Sequence, residues 1–453
     1  MLFCGEFPVC VTKRLIFFKK TNHFSSKGLL FDMEYNFGNL IKVERMRKNM
    51  KQSVLARGIC SISYLSKIEN NQTTPSDEVL ELIFERLELE VPLYYDFSEK
   101  VDQTKKEIRD ILKEALLSRQ EDKYFKRIEK FKTNPVVLQS KELYITLLIT
   151  LARFGLTPGG NVQYLIEVGW IKDQLNKDNR LRYDLFQCLY MFLYQSADRE
   201  TTVSLLENVG KELADSSIPD WEKADMRYVM GALYHRFTDY SQAIDYVKLA
   251  LEYFQENFCL ERIIESHMII GLSFKRRKRY TIALEHYEKA AKVADKAKLN
   301  DYYGMLYNNM GDIYFLIGDQ EKAQKYFLDS FKVKEGAKSK LYSVMSLLEV
   351  NAAKNNIEGI MEWLAIGYEL KGDQDDLVEF NYHFDIYVSK YKKIDQNELI
   401  QSLKRAVNYF EAYDEYYTHK YALWLSRELR STGKYKLATE YYEKTISMMS
   451  RWE

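Results

Sequence analysis

Apolar side chains recur at intervals of three and four residues along most of the chain, the spacing that places them on one face of an α-helix. The segment NLIKVERMRKNM, for example, puts Leu40, Val43 and Met46 on a common face. Only six prolines and nineteen glycines interrupt 453 residues, fewer than strand-rich or loop-rich folds need. The pattern therefore predicts an all-α protein, and the chain is long enough for at least two domains.

Residues 37–91 are predicted to form a small domain of short helices. The helices KQSVLARGI and ISYLSKIENN are each expected to turn three apolar side chains inward: Val54, Leu55, Ile59 and Ile62, Leu65, Ile68. Ser61 is a suitable N-cap for the ISYLSKIENN helix, and either Thr74 or Ser76 can cap the next one. Four or five short helices with two capping signals are typical of a compact helical domain.

Charge in this small domain is strongly polarised. From Lys42 to Lys67 there are seven basic residues and one acid, a net charge of +6, whereas from Glu69 to Glu90 there are seven acids and one base. The whole chain is neutral, with 66 basic and 66 acidic residues, so the polarity is local. A domain with one basic half is suited to docking a polyanion in one orientation.

A second pattern repeats every 40 residues. A glycine is followed by an aromatic residue three positions later, small residues twelve and nineteen later, and an apolar or aromatic residue sixteen later. This pattern begins at Gly231, Gly271 and Gly311. Degenerate copies extend from residue 105 to the C-terminal region, about nine in all. A fixed period of this length indicates a solenoid of helix pairs, in which each pair must stack on its neighbours to bury both faces.

The first helix of each pair is expected to line a concave groove. Side chains three before, one after and four after the small position share a face there. Those proposed as contacts for an extended ligand are Asn308, Tyr228, His235, Lys275, Asp312, Gln195 and Glu349. Asn308 is the first choice because its amide can both donate to and accept from a peptide backbone.

Residues 52–76 resemble the helix-turn-helix domain of the phage-repressor-like (XRE) family. The matching residues are Gln52, Leu55 and Ala56, then the run Ser61 to Asn70 with LSKIEN, then Pro75-Ser76. The resemblance implies that Gln52 contacts DNA phosphate and that the third helix enters the major groove. By position, the base-facing residues are then Ser61, Ser63, Tyr64 and Lys67. Arg47 and Glu69 match an ion pair that is structural in that family.

The repeats resemble tetratricopeptide (TPR) repeats, although 40 residues exceed the usual period. Together the two parts resemble the Rap–Rgg–NprR–PlcR–PrgX group of Gram-positive quorum-sensing regulators, and the NprR-like members above all. The resemblance implies a right-handed superhelix of about nine TPR-like helix pairs after the helix-turn-helix. It also implies a homodimer or higher oligomer that binds double-stranded DNA at an inverted-repeat operator, and a short linear peptide that alters this binding.

Four expected segments follow: an N-terminal extension (1–36), disordered or in part not translated, the helix-turn-helix domain (37–91), a linker (92–103) and the repeat domain (104–453). The five scattered cysteines favour a reduced, cytoplasmic protein, and no stretch predicts a membrane span. The six histidines show no metal-binding spacing, so we expect no cofactor and no enzyme. The alternatives are a TPR interaction scaffold or a Rap-like protein that binds response regulators.

Overall fold

The fold was obtained as a computed structural model, which describes residues 37–89, 98–157, 160–194, 199–392, 395–411 and 414–449. Within these ranges the regular secondary structure is helical and includes no strand. The chain divides into two compact units, residues 1–230 and 231–453, which are described separately. The predicted N-terminal extension, residues 1–36, lies outside the described residues.

The first unit begins with four short helices, and a mixture of short and long helices follows. Their bounds are α1 Gly38–Arg47, α2 Gln52–Ala56, α3 Ile62–Glu69, α4 Asp77–Leu87, α5 Ser98–Ser118, α6 Glu121–Glu129, α7 Pro135–Gln139, α8 Lys141–Gly155, α9 Gln163–Trp170, α10 Lys177–Tyr194, α11 Arg199–Leu213 and α12 Asp220–Arg236, whose last turns fall in the second unit. Helix α5 begins at Ser98, so the second half of the expected 92–103 linker is helical.

The second unit continues the series of long helices. Their bounds are α13 Tyr240–Glu256, α14 Leu260–Arg276, α15 Tyr280–Ala297, α16 Tyr303–Leu316, α17 Gln320–Val333, α18 Ala337–Ala353, α19 Ile357–Lys371, α20 Glu379–Tyr391, α21 Gln396–Phe410, α22 Glu415–Ser431 and α23 Tyr435–Met449. Short 3-10 helices, among them Lys172–Gln174, connect some of them. The predicted all-α class, with a helix-turn-helix domain followed by TPR-like repeats, is confirmed.

The small N-terminal domain packs four helices around one apolar centre. Leu55, Leu65 and Ile68 are at most 2% exposed, and the Ser61 hydroxyl oxygen accepts a hydrogen bond from the Tyr64 backbone N–H at 3.1 Å. Ser76, and not Thr74, caps α4. Caps of this kind typically contribute about 1 kcal/mol each. They therefore hold α3 and α4 at the start points that the sequence indicated.

Two of the side chains predicted to face inward do not. Val54 is 49% exposed and Ile62 is 51% exposed, because each lies in the first turn of its short helix and away from the packed face. Spacing alone placed Ile62 on the face of Leu65 and Ile68, but the first turn of α3 extends beyond the helices that cover the rest of it. Ile62 therefore presents an apolar side chain at the surface of the domain.

The period-40 glycines lie where the two helices of a pair cross. A Cβ atom on Gly271 would come within 2.5 Å of the Tyr287 ring, and one on Gly311 within 2.6 Å of the Phe327 ring. The equivalent Gly231 meets Val247 in the same way. Each aromatic or apolar partner is buried, so the small residue and the large one sixteen positions later form one packing unit, as the spacing predicted.

No helix among the described residues is both long and apolar enough to cross a membrane.

Candidate nucleic-acid interface and candidate ligand groove

Helix α3 presents the side chains that the sequence assigned to DNA. Ser61, Ser63 and Lys67 are exposed, and Tyr64 is half-buried beside them. The Ser61 oxygen is engaged as the N-cap, which leaves its hydroxyl hydrogen available to a phosphate or base oxygen. Helix α3 and its N-cap therefore offer two hydroxyl groups and a phenol near the N-terminus and an ammonium in the last turn, a set that can pair with base edges and phosphates.

Gln52 is held in place by a buried ion pair. Its Nε2 donates to Glu69 Oε2 at 2.8 Å, while Arg45 Nε donates to the other carboxylate oxygen at 2.6 Å. Arg45 also donates to the Met50 carbonyl at 2.7 Å and so secures the turn before α2. The side-chain oxygen and the second amide hydrogen of Gln52 have no described partner. Because the side chain is fixed in this way, its free N–H is preorganised to donate to a phosphate.

The structural ion pair expected from the family resemblance exists, but its arginine is Arg45 and not Arg47. Both basic residues lie on α1, and the partner Glu69 is 1% exposed. Arg45 is on the face of α1 that contacts α3, two residues and about 200° away from Arg47. Arg47 consequently faces a different part of the molecule.

The basic half of the domain is partly neutralised and partly open. Three of the seven basic side chains form ion pairs: Arg45 with Glu69, Arg47 with Glu44 and Glu167, and Lys48 with Glu88. The remaining four basic side chains make no ion pair with any described residue: Lys42, Lys51, Arg57 and Lys67. Four uncompensated cations on a domain of this size attract a polyanion, and such attraction weakens as salt rises.

Ile62 is a candidate DNA contact that the sequence interpretation missed, because the spacing assigned it to the core. It is the first residue of α3 and lies next to Ser61 and Ser63 on the exposed turn. In the major groove the apolar feature on a base edge is the thymine methyl group. An exposed isoleucine at this position is therefore suited to recognising thymine.

The small domain is docked onto the first repeats by two polar clusters. In one, Arg47 donates to Glu167 of α9 at 2.7 Å and 2.5 Å, and the Glu167 carboxylate is almost fully buried. The arginine pKa is raised: burial opposes the charged form, but the hydrogen bond to Glu167 outweighs it. A bidentate pair of this type fixes direction as well as distance.

In the other cluster Asn71 takes a left-handed conformation, with φ 53°. Its side-chain oxygen accepts from the Gly38 N–H at 3.0 Å, and its amide donates to Gln174 Oε1 at 3.0 Å. Gln174 in turn donates to the Glu69 carbonyl at 3.1 Å. A glycine at this position would adopt the left-handed backbone conformation but make no side-chain hydrogen bond. Asn71 adopts the same conformation and also links the end of α3 to the repeats. Helix α3 is thereby oriented by the repeat region itself.

In the second unit, successive first helices are cross-linked along one face. His235 Nδ1 lies 2.9 Å from the Ser273 hydroxyl, and Lys275 donates to Asp312 at 2.9 Å. Glu349 pairs with Lys420, two helix pairs further along. Burial lowers the Lys420 pKa, but the Glu349 carboxylate outweighs it and the net shift is upward. Of the predicted contacts, Lys275 and Asp312 are thus paired with each other, and Glu349 is paired with Lys420, in the ligand-free structure.

Asn308 lies on the same helix as Asp312, one turn earlier, and is half-buried. The side-chain oxygen of Asn308 accepts a long hydrogen bond, 3.5 Å, from the Lys334 ammonium. The same ammonium donates a shorter hydrogen bond, 2.8 Å, to the Ser343 hydroxyl. A ligand amide could replace this weak contact at little cost. His235 is held neutral, since burial and nearby cations lower its pKa to about 3.

The remaining two proposed groove residues are Tyr228 and Gln195. Tyr228 is 5% exposed and is covered by the Arg119 guanidinium, 5.4 Å from its ring centre, so it offers little surface to a ligand. Gln195 lies outside the described residues.

Arg276 and Tyr416 complete the groove, and the sequence interpretation named neither. The Arg276 guanidinium lies 6.0 Å from the Tyr416 ring centre, although α14 and α22 are four helix pairs apart in the chain. Tyr416 is 47% exposed, yet surrounding protein and then the Glu349 carboxylate raise its pKa. A contact between helices that are four pairs apart indicates that their faces turn toward a common interior. The signal for Arg276 was its place in the basic run KRRKR after Phe274.

Known proteins match both parts of the chain. A helix-turn-helix family model matches residues 41–93, and a tetratricopeptide repeat model matches residues 263–336. The transcriptional activator NprA of Geobacillus stearothermophilus is 25% identical over 407 residues, which cover 87% of this chain and 98% of that protein.

Solved structures give the same result for the fold. The apo form of the quorum sensor NprR from B. thuringiensis aligns with TM-score 0.64 and 17% identity over 78% of this chain and 99% of that one. NprR in complex with its cognate peptide NprX aligns with TM-score 0.55 and 18% identity over 79% of this chain and 100% of that one. The predicted resemblance to the Rap–Rgg–NprR–PlcR–PrgX regulators is confirmed. Like those regulators, this chain joins a helix-turn-helix domain to TPR-like repeats.

Proposed function

We propose that this protein is a cytoplasmic, peptide-responsive transcription regulator. Helix α3 and its N-cap contact base edges through Ser61, Ser63, Tyr64 and Lys67, and Gln52 anchors the domain on a phosphate. The observation that carries the DNA assignment is the exposed surface of α3, on a domain with four basic side chains that make no ion pair with a described residue. The 25% identical relative is named as a transcriptional activator, which supports the same role.

The ligand of the concave groove is a short, extended peptide. Asn308 supplies an amide with a weakly engaged oxygen, and Arg276 supplies a cation without a carboxylate partner among the described residues. The ion pairs Lys275–Asp312 and Glu349–Lys420 offer both charges to side chains of the peptide, provided the peptide displaces the internal partner. The similar NprR structure is a complex with a cognate peptide, NprX, which supports this class of ligand.

The active form is a homodimer that binds an inverted-repeat operator. One recognition helix reads only a few base pairs, so a specific site needs two, and half-sites then lie about one helical turn or a multiple apart. The docking of the small domain on α9 gives the coupling a physical route. A change in the repeats moves α3 with them, because Arg47 and Gln174 hold it there.

Selection of DNA sites from random fragments, followed by binding at low and raised salt, tests the proposal. We expect an enriched inverted repeat and an affinity that falls as salt rises, with a log–log slope set by the number of phosphates contacted. Absence of any enriched sequence, with a folded protein by circular dichroism, contradicts the DNA assignment and leaves a scaffold function.

A further inference from the structure

Tyr287 is a fully buried tyrosine whose hydroxyl group lacks a partner. It lies on α15, the second helix of its pair, and its ring packs against Gly271 of α14, where an added Cβ atom would come within 2.5 Å of it. The hydroxyl makes no hydrogen bond with any described residue. Leaving a buried hydroxyl unpaired is costly, so such a group in a folded protein calls for an explanation.

The neighbouring repeats avoid this cost at the equivalent position. The residue sixteen after the repeat glycine is Val247 in the preceding repeat and Phe327 in the following one, and both side chains are buried. Phe327 packs against Gly311 as Tyr287 packs against Gly271, but without a hydroxyl. Packing of the helix pair therefore needs only the ring, and the hydroxyl of Tyr287 serves another purpose.

The charges that act on this hydroxyl come from two first helices. Burial raises the pKa of Tyr287 well above its ordinary value, the Asp312 carboxylate of α16 adds to the rise, and the Arg276 guanidinium of α14 opposes it. Tyr416 responds to the same two charges: burial and then the Glu349 carboxylate raise its pKa, Asp312 adds to the rise and Arg276 opposes it. The Tyr287 hydroxyl therefore lies at the charged cluster of the groove, although its helix is a second helix.

Two donors at this cluster remain available to a ligand. Asp312 is paired with Lys275 at 2.9 Å, and Arg276 makes no ion pair with a described residue. An arginine keeps its charge under all ordinary conditions. The raised pKa keeps the Tyr287 hydroxyl protonated, so that it can donate its hydrogen.

We propose that Arg276 and Tyr287 together bind a carboxylate group of the peptide, either its C-terminus or the side chain of an aspartate or glutamate. A carboxylate accepts hydrogen bonds from a guanidinium and a hydroxyl at the same time, and such charge-assisted bonds are among the strongest in proteins. The inference rests on the proposed peptide-binding function. It adds the chemical class of the group recognised, and a contact that comes from a second helix through the layer of first helices.

Thermal unfolding of the peptide-free chain tests the unpaired hydroxyl. Tyr287→Phe should leave the unfolding midpoint unchanged or raise it, because it removes a buried polar group that has no partner. Tyr421→Phe is the matched control, since Tyr421 is equally buried but its hydroxyl is hydrogen-bonded to His383. That variant should unfold roughly 2–4 °C lower. If Tyr287→Phe loses as much as the control, its hydroxyl is bonded within the protein and the inference is overturned.

Retention of synthetic peptides tests the carboxylate. Equimolar random heptapeptides, one batch with free and one with amidated C-termini, are mixed with the full chain, and those retained on gel filtration are identified by mass spectrometry. The wild type should enrich free C-termini over amidated ones, or acidic residues at one position in both batches. Arg276→Gln and Tyr287→Phe should each lose at least about 10-fold of that enrichment. Arg277→Gln, at the adjacent exposed arginine, should keep it.

The outcomes separate this inference from the peptide-binding function itself. Retained peptides with no preference for carboxylates, a preference that survives in Arg276→Gln and Tyr287→Phe, or equal loss in Arg277→Gln overturns the inference and leaves peptide binding in place. A folded wild type that retains no peptide from either batch contradicts the proposed function, and the inference falls with it. Circular dichroism checks that each variant is folded.

Discussion

The contact between Arg47 and Glu167 should hold the DNA-binding domain on the repeats, and Arg47→Ala should release it. The two residues are 120 positions apart and form a bidentate pair, with side-chain exposures of 33% for Arg47 and 2% for Glu167. Removing the arginine leaves a buried carboxylate without its cation. The nearest remaining donor to that carboxylate, Gln163, is 3.4 Å away.

The magnitude follows from the burial of the two partners. Breaking a fully buried pair costs about 3–5 kcal/mol, but a third of Arg47 already faces water, so about 1–3 kcal/mol is expected here. That corresponds to an opening equilibrium about 5- to 150-fold larger for the docked surface. Hydrogen exchange should therefore rise in α1 and α9, while α14 to α22 keep their protection.

The matched control is the exposed pair Lys105–Glu142 in the same unit, with exposures of 42% and 59%. Lys105→Ala should change exchange by less than 5-fold, since exposed pairs contribute about 0–1 kcal/mol. Peptides from α1 and α9 that exchange equally in wild type, Arg47→Ala and Lys105→Ala would refute the docking role of the pair.

Three further predictions concern the DNA surface and the groove. The double substitution Lys67→Ala, Tyr64→Ala should remove sequence-specific binding in a gel-shift assay, because each base contact contributes roughly 1–3 kcal/mol to the binding free energy. Gln52→Ala should instead weaken binding to specific and random DNA equally. A double variant that is as specific as the wild type contradicts the α3 assignment. Each operator thymine is replaced in turn by uracil, which lacks the methyl group. At the thymine that Ile62 covers, the wild-type affinity should fall about 4-fold, the effect of losing about 0.8 kcal/mol of apolar contact, whereas the affinity of Ile62→Ala should not change. Equal sensitivity of both proteins excludes that contact. Asn308→Ala should abolish the response of DNA binding to peptide while peptide-free DNA binding and helicity persist; an unchanged midpoint and amplitude would place the peptide elsewhere.

The parts of the fold that the sequence predicted are those set by local spacing. The glycines at 231, 271 and 311 and their large partners sixteen residues later determine how each helix pair crosses, so the repeats are visible in the sequence itself. Ser61 caps its helix as expected because an N-cap acts over three residues. Such features depend on neighbours in the chain and are legible from it.

The parts that the sequence did not predict depend on distant partners. Arg47 was matched to Glu69, and the structure pairs Glu69 with Arg45, since the rotation of α1 against α3 decides which of two nearby arginines reaches it. Nothing local marks Glu167 as the partner of Arg47, 120 residues earlier. Ile62 was assigned to the core because its spacing is correct for a longer, better covered helix.

The groove shows the same limit. The face of each first helix was inferred from its period, and three of these helix faces carry cross-helix pairs: His235 with Ser273, Lys275 with Asp312, and Glu349 with Lys420. Tyr228 has the repeat position of Asn308 but is covered by Arg119 from an earlier helix. Periodicity gives the face of a helix, whereas the packing of other repeats decides which of its residues a ligand can reach.

The proposed regulator reads DNA and changes its grip when a short peptide binds. The most direct measurement is fluorescence anisotropy of the selected operator with the full chain, in the presence and absence of the short peptide that co-purifies with it and is identified by mass spectrometry. We predict a peptide-dependent shift in DNA affinity of about 5- to 150-fold, the effect of a coupling of about 1–3 kcal/mol. Sequence-specific binding with the same midpoint at saturating and at zero peptide would contradict it.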